Sequence, residues 1–599
     1  MAQSIVKEFA GSGSLEEQSR ALLSAYLNGS VTIEDLMGPL TAAKTVEPVN
    51  STLTIRPGGH AVVPVAPGVD VAPADEHNVK LVANVHPPDY VNAQPADHYD
   101  LVVIGAGVAG LLSVIMGKAL GKRCAMIEKH YMGGDCLNVG CFPSKVMIAS
   151  ARRMHDILNS ANLGIDVDPA HVKVDFGKVM ERVRMLRAKI SPVDSVERYK
   201  KDFCEEVFLG NASFVGGNKV KVDGGKHGDR VLTFDKAMIA TGASPKIPDI
   251  PGLVDTPHLT NLNFFNLTDL PPRVTVIGAG PIGMELAQAL CRLGAKVTVL
   301  EYGSHFLPRE DPDASEIVRQ ALIKDGVDLR YNVRFENIES DGGNVTSAPF
   351  AIYKVSVNIE GKKEMFECEA ILNATGRVPN VYNIGLDKVG VEFDSNQGVV
   401  VDDYYMTTNK DIYATGDVAS PFKFTHAADF MARIAIRNMF LGDKTTSNRI
   451  VIPWCTYVSP EVAHVGMYET EMKQKNITHE TFIKTFEHLD RVVCDGSGEG
   501  FVKIHVKAGT DKIIGATIVA PHAGDMISEI TTCIQYDIGV GKLAGVIHPY
   551  PTTQEAVRVC AGQYNQHYKT DVIKGALKLI GDHYTKGQND RPNKRAKTE

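Results

Sequence analysis

Two stretches of this chain follow one pattern, and that pattern leaves little choice of fold. "YDLVVIGAGVAGLLSVIMGKALGKRCAMIEK" and "RVTVIGAGPIGMELAQALCRLGAKVTVLEYG" each read as apolar strand, G-x-G-x-x-G turn, helix, second strand and terminal Glu. A strand that passes through a helix to a parallel neighbour needs cover on both faces of its sheet, which is α/β architecture. In the first copy Gly105, Gly107 and Gly110 let the backbone turn tightly and approach a pyrophosphate at a helix N-terminus. Unpaired N–H groups and the helix dipole favour negative charge there. Glu128 ends the second strand, placed to accept from a ribose hydroxyl. Gly278, Gly280, Gly283 and Glu301 repeat the arrangement, so two dinucleotides are expected. A carboxylate at Glu301 bonds a free 2′-OH and repels a 2′-phosphate, and "EYGSHFLP" offers no Arg or Lys for that phosphate. This favours NADH over NADPH.

Composition narrows the rest. At 599 residues, and about 150 per domain, the chain is expected to hold three to five units. With 44% apolar residues, 22% charged residues and a formal net charge of −8, it has no basic excess to bind nucleic acid or an anionic membrane. Its longest apolar run, Leu101 to Gly117, is too short and too glycine-broken for a membrane span of about 20 residues. The N-terminus carries neither a signal-peptide core nor an acid-poor, Arg-rich transit sequence, which points to a cytoplasmic, reducing compartment. Residues 1–98 hold nine prolines and only Phe9, Tyr26 and Tyr90 as aromatics. There "SLEEQSRALLSAYLNG" predicts a helix, capped by Ser14 and Glu17 and stopped at Asn28-Gly29. The Pro/Ala/Val-rich stretch from about Val46 to Pro95 predicts a linker or lightly ordered arm. After Ile450 short strands and helices predict an α+β domain, and the polar last fifteen residues predict disorder.

Ten cysteines in a chain this long are not a disulfide framework, and most are expected to be small buried hydrophobes. One pair is different. "GGDCLNVGCFPSK" sets Cys136 and Cys141 just before a predicted helix, "KVMIASARRMHDIL". A regular helix would hold their Cα atoms roughly 8 to 9 Å apart, beyond the roughly 7 Å a disulfide spans. The segment must therefore curl, and Asn138 and Gly140 suit that. A helix N-terminus also stabilises a thiolate and makes such a pair exchangeable. The other reading is two buried cysteines or half a zinc site. No second Cys/His pair with ligand spacing lies nearby, so no metal site is expected.

The order of G-x-G-x-x-G, C-x4-C-x-P-S-K, "ATG" (Ala240 to Gly242), a second G-x-G-x-x-G, "ATGRVPN" and "ATGD" (Ala414 to Asp417) resembles the FAD-dependent pyridine nucleotide-disulfide oxidoreductases, over roughly 99–568. The resemblance implies two Rossmann-like domains, for FAD and for NAD(P), and a C-terminal α+β dimerisation domain. It also implies a homodimer whose C-terminal domain completes the partner's site. The domains expected are 1–98 as an extension, 99–255 for FAD with the redox pair, and 256–381 for NAD(P). Residues 382–448 return to the FAD domain, 449–570 form the interface domain and 571–599 a tail. By resemblance Cys141 is the charge-transfer thiol against the flavin and Cys136 the interchange thiol that meets substrate, with hydride passing from nicotinamide to flavin to disulfide. Lys145 matches the lysine near the flavin, Glu285 its ion-pair partner, and Asp417 the residue on the ribityl chain. Thr241, Gly242 and Gly376 match cofactor-binding positions of the two "ATG" motifs.

The chain departs from the resemblance at "GVIHPYPTTQEAVRVC". Glutathione reductases and dihydrolipoamide dehydrogenases carry His-Pro-Thr-x-x-Glu there, the Glu orienting a His that shuttles protons. In register, Glu555 stands at the glutamate, Tyr550 replaces the base, and His548 falls two positions early. Tyrosine has a pKa near 10 against about 6.5 for histidine, so service as a base at pH 7 needs a shift of about 3 units. A tyrosine here is similar to the mercuric-reductase-like branch, as are "IPWCTYVSPEVAHVG" and "FTHAADFMARIAIRN". Mercuric reductases, however, end in a cysteine pair, and no cysteine follows Cys560. Cys455 and Cys560 are expected to be packing residues. The expected function is electron transfer from NAD(P)H through FAD and the Cys136–Cys141 disulfide to a small disulfide, quinone or metal ion. The alternatives are dihydrolipoamide dehydrogenase, mercuric reductase, or a flavin redox sensor that binds a partner through residues 1–98.

Overall fold

A computed structural model of the chain describes residues 71–568 and the single position Ile580. The helix expected over 14–29, the first part of the Pro/Ala/Val-rich arm and the polar tail lie outside the described residues. The chain divides into two units, Met1–Ser459 and Pro460–Glu599.

In the first unit the strand Tyr99–Ile104 lies between Cys124–Glu128 and Arg230–Ile239, parallel to both, with Leu101 opposite Cys124 and Lys236. Every residue of Cys124–Glu128 is buried, as a parallel strand covered on both faces must be. The outer parallel neighbour of Cys124–Glu128 is Glu206–Leu209. On the other side Ile412–Ala414 pairs with Arg230–Ile239, so the chain returns to this sheet after leaving it. A second parallel sheet runs in the order Asp328–Arg330, Lys296–Leu300, Arg273–Ile277, Ala370–Asn373. The helices Val108–Ala119 and Pro281–Arg292 follow the two central strands, each starting directly after a glycine turn. In the second unit Glu461–Gly466, Ile513–Ala520, Phe501–Lys507 and His479–Thr485 lie side by side and antiparallel, with the helices Ala523–Gln535 and Glu555–His567.

Two local expectations need correction. The linker expected through Pro95 is folded where it is described: Asp75 caps a helix, Glu76–Val85, by accepting from the Asn78 N–H at 2.8 Å. Leu81 and Val85, one turn apart, are fully buried, and this apolar stripe overrides the proline content around it. The helix expected from Lys145 begins four residues earlier, at Cys141, and a short helix Gly134–Asn138 precedes it. Val139 and Gly140 break the two apart, which supplies the curl that the cysteine spacing demands.

Candidate active site

The first glycine turn is shaped by what its neighbours forbid. Gly105 has φ +101°, and a Cβ on it would stand 2.3 Å from the Ala240 carbonyl oxygen. On Gly110 a Cβ would stand 1.9 Å from the Gly105 oxygen, so the helix seats directly on the turn. A Cβ on Gly107 would meet no atom within 4 Å, which leaves open space before the helix N-terminus. Gly278, Gly280 and Gly283 reproduce all three relations, with Ala374 in place of Ala240. This is the cradle a pyrophosphate needs, present twice.

The glutamates are duplicated too. Glu128 accepts from the Ala106 and His130 N–H groups, both at 2.7 Å. Glu301 accepts from those of Ala279 and Gly303 at 2.7 and 2.6 Å. Burial pushes the Glu128 carboxyl up, while those two N–H groups draw it down. Beside Glu301, Arg334 bonds the Tyr302 carbonyl at 2.8 Å and lies 3.9 Å over its ring centre. Inspection of "EYGSHFLP" misses this cation because it comes from another strand.

The two "ATG" motifs fasten to each other. Thr241 donates to the Asn380 carbonyl at 2.8 Å, and the Asn380 N–H donates to the Gly242 carbonyl at 3.0 Å. Gly376, at φ +119°, accepts from the Lys246 N–H at 2.9 Å. Next to it Arg377 bonds Asp135 and lies 3.6 Å from Asp417, joining the residue before Cys136 to the one matched to the ribityl chain. Burial raises the Asp417 carboxyl, and Arg377 and Lys423 oppose that rise.

The cysteine loop closes against the first glycine turn. Gly134 has φ +57°, and a Cβ there would stand 2.7 Å from Gly107 Cα. Both Cys136 and Cys141 are free thiols. Cys141 is the first residue of its helix, and its Sγ lies 3.3 Å from Thr425 Oγ1. Thr425 is in turn the first residue of the helix Thr425–Leu441, so two positive helix ends converge on one sulfur. A hydrogen bond from the Cys136 thiol pulls Cys141 below the usual thiol range. Thr425 and the Lys145 charge act the same way, against partial desolvation. Cys136, the donor of that bond and itself desolvated, is raised. Lys145 Nζ lies 2.7 Å from Glu285 Oε2 and 4.4 Å from the centre of the Tyr457 ring. Glu285 Oε1 accepts from the Tyr457 N–H at 2.8 Å. Thr425, Tyr457 and Arg377 were not singled out from sequence, since each reaches the site from a distant part of the chain.

In the second unit the expected residues do not assemble into one group. Tyr550 donates to Asp490 at 2.7 Å, Glu555 pairs with Arg558 at 2.7 Å, and His548 pairs with Glu529 at 3.0 Å. Cys560 is buried, its thiol 3.3 Å from the Phe482 carbonyl, as a packing residue would be.

Two family models match the chain: pyridine nucleotide-disulphide oxidoreductase over 99–432, and the dimerisation domain of the same family over 452–561. A mercuric reductase of Bacillus cereus is 34% identical over 461 residues, 77% of this chain and 70% of that protein. A dihydrolipoyl dehydrogenase of Mycobacterium bovis is 31% identical over 469 residues, 77% of this chain and 97% of that protein. Among solved structures, the Cu(II) complex of the HOCl-induced flavoprotein disulfide reductase RclA from Escherichia coli superposes with a TM-score of 0.67 at 25% identity. It covers 78% of this chain and all of that one. No helix among the described residues is long and apolar enough to cross a membrane. The duplicated cradle, the paired cysteines and these matches together make the chain a member of the pyridine nucleotide-disulphide oxidoreductases, enzymes that use FAD and NAD(P)H.

Proposed function

We propose that Cys136 and Cys141 are the redox pair of this enzyme, Cys141 as the thiolate on the flavin side and Cys136 as the thiol that meets the acceptor. The observation that carries this reading is the sulfur of Cys141, held at two helix N-termini with Lys145 nearby. Such surroundings keep one thiol ionised and leave its neighbour protonated, the division of labour that exchange requires. Gly105, Gly107, Gly110, Glu128, Thr241, Gly242 and Asp417 would hold FAD, which would supply two-electron chemistry between nicotinamide and the cysteine pair. Glu285 fixes the Lys145 ammonium near Cys141.

Glu301 favours NADH, because a 2′-phosphate would meet its carboxylate. The subunit works as a homodimer, in which Tyr550 and Glu555 face the partner's redox pair. The acceptor is a small one, a small disulfide, a quinone or a metal ion. Tyr550 is bonded to a carboxylate and poorly suited to shuttle protons for a bulky dithiol. Anaerobic titration of the purified flavoprotein with NADH and NADPH, followed by an acceptor screen, tests this reading. Long-wavelength absorbance from thiolate against flavin should appear in the wild type and vanish in Cys141→Ser. Faster reduction by NADPH overturns the coenzyme reading, and robust lipoamide turnover that Tyr550→His changes little overturns the reading of Tyr550 as a missing base.

A further inference from the structure

The family match begins at residue 99, yet the residues just before it reach the loop between the two cysteines. Their link is Arg187, which is 1% exposed. One guanidinium nitrogen donates to the Asn138 carbonyl at 2.6 Å and another to Asn78 Oδ1 at 2.7 Å. Asn138 is the last residue of the short helix that carries Cys136. A carbonyl at a helix C-terminus lacks an intrahelical donor, and a cation is the partner it favours. Arg187 is thus the C-terminal cap of the Cys136 helix. Asn78, on the helix Glu76–Val85, supplies the second acceptor that this buried charge requires.

Other contacts fasten the same helix to the segment just before the Cys136 helix and to the helix Phe176–Ile190, which carries Arg187. The Met132 N–H donates to the Val85 carbonyl at 3.0 Å, and Arg184 pairs with Asp75 at 2.5 Å. Asn138 is locked from its other side, its Nδ2 donating to the Met132 and Gly134 carbonyls at 3.0 and 2.8 Å. The chain from Asn78 through Arg187 to Asn138 therefore ends two residues from Cys136.

We propose that Asn78, in the segment preceding the family domain, is a positioning residue for the redox pair: through Arg187 it holds the carbonyl end of the Cys136 helix and so keeps Cys136 within reach of Cys141. The inference rests on the assignment of that pair made above. Held thiols have a high effective concentration towards each other, so loosening the cap makes their disulfide easier to reduce.

The test uses the full-length flavoprotein equilibrated in mixtures of reduced and oxidised dithiothreitol. In that exchange the Cys136–Cys141 bond opens to two thiols while the reagent closes its own disulfide, so two electrons and two protons change hands. Trapping with an alkylating reagent and mass analysis of the peptide bearing both cysteines gives the equilibrium constant. In Asn78→Leu, which keeps the size and removes the acceptor, the constant should move about tenfold towards dithiol. Asn78→Asp, which keeps the acceptor, should stay within about threefold of wild type. Asn84→Ala removes a neighbouring contact, to Ser191 Oγ at 2.8 Å, that is off the relay, and it should change nothing. If Asn78→Leu does not fold, Asn78→Ser is read in its place. An unchanged constant with a lowered melting temperature overturns the proposal, since Asn78 is then structural only. Failure of the wild type to form this disulfide overturns instead the assignment of the pair.

Discussion

Tyr550 donates its phenolic O–H to Asp490 Oδ2 in a hydrogen bond of 2.7 Å, although the position belongs to a base in the dehydrogenases this chain resembles. The hydrogen bond and the charge of Asp490 raise the phenol further above its ordinary value, away from any use as a base near neutrality. Replacing it by Tyr550→His restores a group that titrates near 6.5. Lipoamide turnover at pH 7 should rise at least about tenfold, the lower part of what general acid–base catalysis contributes. Tyr550→Phe should leave it within about threefold. Steady-state rates with lipoamide across pH 5.5–8.5, chosen to bracket the histidine, decide the matter.

The depressed thiol of Cys141 gives a second expectation. Its ionisation is favoured by Cys136, Thr425 and Lys145, so the thiolate persists to pH values below the ordinary thiol range. Lys145→Met removes the cation, and the midpoint of iodoacetamide reactivity of the reduced enzyme should move up by about one unit. Thr425→Val should move it the same way by less. A midpoint unmoved in both variants contradicts the electrostatic account of the site.

Gly110→Ala places a methyl group where the Gly105 carbonyl oxygen would stand 1.9 Å away. The helix cannot remain seated on the turn, and the purified protein should carry less than about one tenth of the wild-type flavin per chain. The ratio of flavin to protein absorbance reads this directly.

Asp325 joins helices from both nucleotide-binding regions. It accepts from Arg292 at 2.9 Å, Gln288 at 2.8 Å and His155 at 3.0 Å, and the Arg292–Asp325 pair is 6% exposed on each side. Burial raises its carboxyl, but the His155 bond, the Arg292 charge and the remaining bonds lower it more. A lowered carboxyl stabilises the fold above its unfolded value of about 3.9 and loses that contribution as pH falls through the folded value. Asp325→Asn leaves a buried guanidinium uncompensated at a cost of about 3 kcal/mol. The apparent melting temperature at pH 7 should drop by about 5 °C. The gap from wild type should narrow below about pH 4, as calorimetry at both pH values will register.

What was legible in the sequence was local. Gly105 and Gly110 write their turn within six residues, and the spacing of Cys136 and Cys141 before a helix marks them as a pair, to which resemblance added the two thiol roles. The partners that tune that chemistry were not legible: Thr425 lies 284 positions from Cys141, and Lys145 lies 140 from Glu285. Only resemblance placed Glu285, and nothing placed Thr425 or Tyr457. The arm was misread for a different reason. Its prolines outweighed a signal that was present, Asp75 at a cap followed by Leu81 and Val85 on one helical face. Arg334 shows why an absence read from one segment is weak, since a strand more than thirty positions on brought a cation to Tyr302.

The cap on the Cys136 helix also orders events during synthesis. Asn78 and Arg187 are 109 positions apart, so at about 5–20 residues per second the first waits roughly 5–20 s for the second to leave the ribosome. Through that interval Leu81 and Val85, both fully covered in the finished fold, have no helix from the later sequence to cover them. In that window Leu81 and Val85 form an apolar pair open to non-native contacts or to a holdase.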